Sequence, residues 1–144
     1  MGEKRILIVD DDEALITSLS AVLQSEGYTI DAARSGNEAI TMATTNSYDA
    51  MIVDIELPDI EGTDLLKRLP VQAAKAVKII LTGHPNMDKV VTALFRGADA
   101  YVLKPVSPNE LLKVVEQKLA VQKTSTGMNS KKLADWIEKR AEKI

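Results

Sequence analysis

Residues 49–58 read Asp49-Ala-Met-Ile-Val-Asp-Ile-Glu-Leu-Pro58. The apolar run Ala50 to Val53 ends in a single carboxylate, Asp54, with Pro58 and then Gly62 following at intervals of four residues. A continuous apolar run bounded by turn residues predicts a strand buried on both faces, as in a parallel sheet covered by helices. Asp54 then stands at the strand's carboxyl end, the edge where open α/β sheets place ligands.

The same pattern recurs on either side. Ile6-Leu-Ile-Val9 is a second apolar run, and it ends in Asp10-Asp11-Asp12. Leu15, Ile16, Leu19, Val22 and Leu23 follow helical spacing up to Gly27, a C-cap residue. Tyr28 to Ala33 predicts a short strand. Ser35-Gly-Asn-Glu38 has the form of a capping box, and Ala39, Ile40 and Ala43 give its helix a narrow apolar stripe. Beyond the central strand, Thr63 to Leu69 predicts a short helix, and Pro70 to Ala76 a loop or frayed helix end. Val77 to Leu81 is a strand ending in Thr82-Gly83-His84-Pro85. Met87, Val90, Val91 and Leu94 form a helical stripe closed by Gly97. Asp99 to Leu103 is a fifth strand, ending in Lys104-Pro105. Ser107-Pro-Asn-Glu110 is another capping box with Pro at the first helical position, and Leu111, Leu112, Val115 and Leu119 carry that helix on.

Five strand–helix repeats demand a parallel sheet with helices on both faces, a doubly wound α/β fold. A length of 144 residues suits one domain with an appendage. The expected divisions are a folded domain over 1–121, a polar linker over 122–130 and a short amphipathic helix over 131–144. In that last segment Leu133, Trp136 and Ile137 share one helical face. Three roles are open for it: docking on its own domain, self-association, or the start of a linker to a further domain. It is too short to read DNA.

Composition narrows the function. A net charge of −3 gives no global basic field for nucleic acid. The chain has no Cys, which excludes disulfides, thiolate metal sites and Cys nucleophiles. With three Tyr, one Phe and one Trp, the core must be aliphatic. No apolar run approaches the roughly 20 residues of a membrane span. The amino-terminal residues lack a signal-peptide core, so a cytoplasmic protein with no membrane partner is expected.

Polar residues close four of the five strands: Asp10 and Asp11, Asp54, Thr82, and Lys104. In a parallel sheet those ends converge. Two carboxylates about 4 Å apart repel by on the order of 4 kcal/mol at an effective dielectric near 20. Such a cluster calls for a cation. With oxygen ligands alone the hard ion Mg²⁺ fits best, with Mn²⁺ as a substitute. Lys104 adds a fixed positive charge, and Thr82 a hydroxyl donor. Metal, ammonium and hydroxyl around one carboxylate form a phosphoryl-transfer arrangement over a nucleophile.

On these residues the chain resembles a response regulator receiver domain of two-component signalling, of the chemotaxis-regulator type. The matching motifs are Ile6-Leu-Ile-Val-Asp-Asp11, Asp54-x-x-Leu57-Pro58 with Gly62, Thr82-Gly83, and Lys104-Pro105. They occur in the family's order and spacing over about residues 4 to 121. The resemblance implies a flavodoxin-like (β/α)5 fold with strand order 2-1-3-4-5. It implies that Asp54 is the phosphoacceptor, served by a histidine kinase or histidine phosphotransfer protein. Asp11 and Asp54 would bind Mg²⁺ directly and Asp10 mainly through water, with the main-chain carbonyl of Glu56 as a further ligand. Thr82 and Lys104 would hold the phosphoryl oxygens, and Tyr101 occupies the family's aromatic switch position. Lys104-Pro105 would be a cis peptide. The face built from the fourth helix, fifth strand and fifth helix would then change partner preference and could form a homodimer. Glu56 and His84, each two residues past a site residue, would flank the path of attacking water. Glu61 precedes Gly62 where the family commonly has Asp.

Plainer roles exist beside these. Asp12 suits a helix cap, His84 a solvated loop position, and Tyr101 ordinary packing. Two other functions share parts of the pattern. A haloacid-dehalogenase-type phosphatase also uses a strand-end Asp with Mg²⁺, but prefers a second Asp where Glu56 stands. A flavodoxin-like nucleotide binder would need a Gly-rich first turn, whereas this turn is acidic. The resemblance implies a signalling domain whose only chemistry is its own phosphorylation and dephosphorylation.

Overall fold

The structure is a computed structural model and describes residues 3–83 and 87–124. Strands β1 (Arg5–Val9), β2 (Thr29–Ala33), β3 (Ala50–Asp54), β4 (Val77–Thr82) and β5 (Ala100–Leu103) alternate with five helices. These are α1 (Glu13–Ser25), α2 (Gly36–Thr45), α3 (Gly62–Arg68), α4 (Met87–Phe95) and α5 (Pro108–Thr124). The strands pair in parallel in the order β2-β1-β3-β4-β5. The alternation predicts the parallel sheet, and the flavodoxin-like strand order is the one the resemblance implies.

Every residue of β3 is buried, which explains its unbroken apolar run. Successive side chains point to opposite faces. From β1 and β3, Ile6, Ile8, Ala50 and Ile52 pack against Ile16, Leu19 and Leu23 of α1 and Leu111, Val115 and Leu119 of α5. Leu7, Val9, Met51 and Val53 turn the other way, toward Ala39 and Ala43 of α2, Leu65 and Leu66 of α3, and Val90 and Leu94 of α4. The core is therefore two aliphatic layers with the sheet between them.

Local signals set the element ends. Ser35 accepts from Glu38 N at 3.1 Å to cap α2, while the Glu38 carboxylate accepts from Arg34 N at 3.4 Å. Gly27 and Gly97 adopt φ of +95° and +104°, the left-handed backbone that glycine takes most readily after a helix. Two strands are entered alike. Asp49 Oδ2 accepts from Arg5 N at 2.8 Å, and Asp99 Oδ2 accepts from Lys78 N at 2.8 Å. Each carboxylate thereby continues the ladder to the neighbouring strand by one bond.

The boundaries differ from expectation in a few places. The stretch 70–76 contains a 3-10 turn, Val71–Ala73, and carbonyls at its end and just after it meet a buried lysine. Lys78 Nζ donates to Ala73 O at 2.7 Å, Ala76 O at 2.9 Å and Ala74 O at 3.4 Å. Burial pulls the Lys78 ammonium below the ordinary lysine range. Helix α5 runs on to Thr124, three residues into the expected linker (122–124). The remainder of that linker, the 131–144 helix and His84 lie outside the described residues. Among the described residues no helix is long and apolar enough to cross a membrane.

Candidate functional site

Register fixes where the strands finish. Val9 lies beside Val53, Asp54 beside Leu81, and Thr82 beside Leu103. The residues that end β3 and β4, and those just beyond β1 and β5, therefore share one edge of the sheet. Asp10 stays on the ladder beyond β1, its N–H donating to Ala33 O at 3.0 Å. Lys104 does the same beyond β5, donating to Thr82 O at 2.7 Å.

Asp10 and Asp54 are both buried. Asp10 Oδ1 accepts from Asp12 N at 2.9 Å, and Asp54 Oδ1 from Glu56 N at 3.2 Å. Their other oxygens face one cation. Lys104 Nζ lies 3.0 Å from Asp10 Oδ2 and 3.3 Å from Asp54 Oδ2. The Lys104–Pro105 peptide is cis. Asp11 is exposed and completes a group: one oxygen each from Asp10, Asp11 and Asp54 lie within 4.8 Å of one another. Asp12 stands apart from that group and caps α1, accepting from Ala14 N at 3.0 Å and Leu15 N at 3.2 Å.

The charges do not balance. Burial pushes the Asp54 carboxyl above its ordinary value against the pull of the Glu56 N–H, and the Asp10 carboxylate adds to the rise. Burial also works against the Lys104 charge, but bonding to Asp10 and attraction to Asp54 overcome it and raise the ammonium's pKa. Two buried carboxylates thus share one ammonium, with the Asp11 carboxylate added beside them. An oxygen-only, over-negative cluster with two buried members suits a hard divalent cation such as Mg²⁺.

The loop after β3 is folded tightly beneath Asp54. Ile55 N donates to Leu81 O at 2.9 Å, Gly62 N donates to Ile55 O at 2.7 Å, and Glu56 and Glu61 form a bridge across the loop. A Cβ on Gly62 would sit 2.6 Å from Asp54 O and 2.8 Å from Ile55 Cα. Only glycine lets the chain pass so close to the backbone of Asp54.

Thr82 is buried at the end of β4. By alternation it shares a face with Ile80, which packs toward α4. Tyr101 pairs with Ile80 and packs, half-buried, into the same layer. Thr82 and Tyr101 are therefore diagonal neighbours on the α4 side, whereas Asp10 and Asp54 meet around the Lys104 ammonium. The Glu56 side chain is exposed at the rim. Asp59 carries no signal in the sequence, although its carboxylate grips the amino end of α2. A polar residue after Pro58 bears no mark of a partner 23 residues back.

The chain as a whole is similar to known proteins. The chain matches the family model of the response regulator receiver domain over residues 6–116. It is 32% identical over 129 residues to the alginate biosynthesis transcriptional regulatory protein AlgB of Pseudomonas syringae pv. tomato, covering 90% of this chain and 29% of that protein. The chain thus spans under a third of that relative's length. A CheY-like response regulator receiver domain protein from Methanospirillum hungatei JF-1 superposes with a TM-score of 0.82 at 38% identity, over 85% of this chain and 98% of that one. The beryllofluoride-activated NtrC4 receiver domain dimer gives a TM-score of 0.76 at 30% identity, over 82% of this chain and 98% of that one. The chain belongs to the response regulator receiver domain family of two-component systems, a family of signalling domains.

Proposed function

We propose that Asp54 accepts a phosphoryl group from the phosphohistidine of a histidine kinase or a histidine phosphotransfer protein. The observation that carries this reading is the shared ammonium: Lys104 Nζ reaches both Asp10 and Asp54 in a three-carboxylate cluster. An Asp54 oxygen forms the new bond to phosphorus as the phosphorus–nitrogen bond breaks. The leaving imidazole nitrogen keeps the electron pair and takes up a proton.

Asp10, Asp11 and Asp54 would hold Mg²⁺ or Mn²⁺, with the Glu56 main-chain carbonyl as a further oxygen donor. When bound, the ion neutralises charge on the transferring phosphoryl oxygens. Lys104 supplies a second positive charge, and the Thr82 hydroxyl donates to a phosphoryl oxygen. Phosphorylation replaces the single carboxylate charge with a phosphoryl group carrying roughly −1.5 to −2 by analogy with other phosphoresidues, a net gain of about one-half to one negative charge. Thr82 is drawn toward that charge, and Tyr101, its diagonal neighbour, turns into the space released. The α4–β5–α5 face then changes its preference for an output partner or a second copy. The dimer of the related NtrC4 receiver domain supports the second option. Water attacking beside Glu56 and His84 ends the cycle, so the chain turns over no external substrate beyond its phosphodonor. A cytoplasmic setting, no direct contact with nucleic acid, and a segment after residue 121 that either self-associates or begins a linker complete the reading.

The test is transfer from a phosphorylated histidine kinase. Wild type gains the label, and Asp54→Asn, folded by circular dichroism, gains none. Equal labelling of the variant overturns the assignment.

A further inference from the structure

The loop from Ile55 to Glu61 carries the Glu56 N–H that donates to Asp54 Oδ1 at 3.2 Å. Any shift of this loop is therefore felt on the acceptor carboxylate. Its crest, at Pro58 and Asp59, is exposed, although Leu57 and Ile60 on either side pack against the core. Asp59 ties the crest itself to α2. Its Oδ1 accepts from Gly36 N at 2.8 Å and its Oδ2 from Asn37 N at 2.9 Å. Ionised acceptors make the stronger class of hydrogen bond, and the amino end of a helix favours a carboxylate.

The first turn of α2 is divided between two acceptors. Ser35 takes Glu38 N, whereas Asp59 takes the two N–H groups before it. Packing follows the same line. A Cβ on Gly36 would run into Ile60 Cγ2, so glycine there admits the loop. On the opposite flank Glu61 Oε1 lies 3.2 Å from Lys89 Nζ of α4. The loop is thus suspended between α2 and α4, with its two-bond anchor at α2.

We propose that Asp59 is a positioning residue for the Asp54 site, fixing the height of the Glu56 backbone by gripping α2. It touches neither a phosphoryl group nor a cation. The inference rests on the phosphoacceptor reading and deepens it. The amino end of α2 becomes part of the support of the cation site, although Gly36 and Asp54 are 18 positions apart in sequence.

The experiment titrates Mg²⁺ against the full chain with beryllofluoride present, reading complex formation by fluorine NMR, alongside melting temperatures in chelator. Asp59→Ala weakens the apparent Mg²⁺ affinity roughly tenfold, the scale of lost outer-shell support. Asp59→Asn, which keeps one acceptor, falls between that variant and wild type. Ser35→Ala is the control: it removes the other α2 cap, lowers the melting temperature, and leaves Mg²⁺ affinity within about twofold because it does not hold the loop. Unchanged affinity in Asp59→Ala, or in Asp59→Asn should the alanine variant fold poorly, overturns the proposal. So does an equal loss in Ser35→Ala. Wild type that forms no Mg²⁺-dependent complex overturns the phosphoacceptor reading itself, and this inference with it.

Discussion

Lys104 Nζ lies 3.0 Å from Asp10 Oδ2, closing a contact between residues 94 apart in sequence. Asp10 belongs to the end of β1 and Lys104 to the end of β5, with β3 and β4 between them in the sheet. The lysine therefore reaches across the rim and passes Asp54 at 3.3 Å on the way. One ammonium is the fixed counter-charge for two buried acids.

Removing that ammonium leaves both acids uncompensated. Breaking a buried pair from one side typically costs about 3–5 kcal/mol, and partial exposure of Lys104 reduces this to roughly 2–3 kcal/mol. Lys104→Met should lose that much stability in chelator by urea denaturation at neutral pH. Adding Asp54→Asn to it should restore part of the loss. Additive effects of the two substitutions would contradict the shared counter-charge.

The Asp54 carboxyl makes its own pH signature. Its folded-state pKa is raised above the ordinary value of 3.8, chiefly by burial. Between those two values the folded chain holds more protons than the unfolded chain, so stability falls as pH rises through that window. Asp54→Asn removes the penalty. In chelator at neutral pH the variant should melt above wild type, and the gap should close as pH falls toward 3.8. A gap that does not vary with pH would show that the buried Asp54 charge is not its source. Mg²⁺ should raise the melting temperature of wild type more than that of the variant.

Gly62 tests the packing beneath Asp54. Its hypothetical Cβ meets main-chain atoms of Asp54 and Ile55, which cannot swing away as a side-chain end could. Gly62→Ala should cost about 1–3 kcal/mol, the range for overpacking. Thermal melts measure it. A neutral result would mean that the β3–α3 loop yields freely.

Lys78 is a buried cation whose hydrogen-bond acceptors among the described residues are main-chain carbonyls. Its ammonium satisfies carbonyls of the 71–76 turn. Lys78→Ala should destabilise by roughly 2–4 kcal/mol, combining a cavity with carbonyls left without donors. Lys78→Met, which keeps the volume, should cost less. Both should still accept phosphate, because the residue lies at the far end of β4 from Thr82.

Much of the fold and the site is legible in the sequence because parallel sheets write simple patterns. The run Ala50 to Val53 is apolar throughout because both faces of β3 are covered. Acids at the ends of two such runs have to meet, since register brings parallel strand ends to one edge. Lys78 is not legible. A lone lysine in Val77-Lys-Ile-Ile-Leu81 looks like an exposed strand position, and only the folded turn shows its acceptors. Asp59 is hidden for the same reason: its partners are backbone N–H groups, which no residue type announces. The overrun of α5 to Thr124 reflects Gln122 and Lys123, polar residues that extend a helix as readily as they form a linker.

The central claim is that Asp54 carries the phosphoryl group. The most direct measurement treats the chain with acetyl phosphate and Mg²⁺, reduces the acyl phosphate with borohydride, and maps the modified peptide by mass spectrometry. The predicted result is conversion of Asp54 to homoserine, absent in chelator and absent in Asp54→Asn. Modification at another acid, or equal yield without a divalent cation, would contradict it.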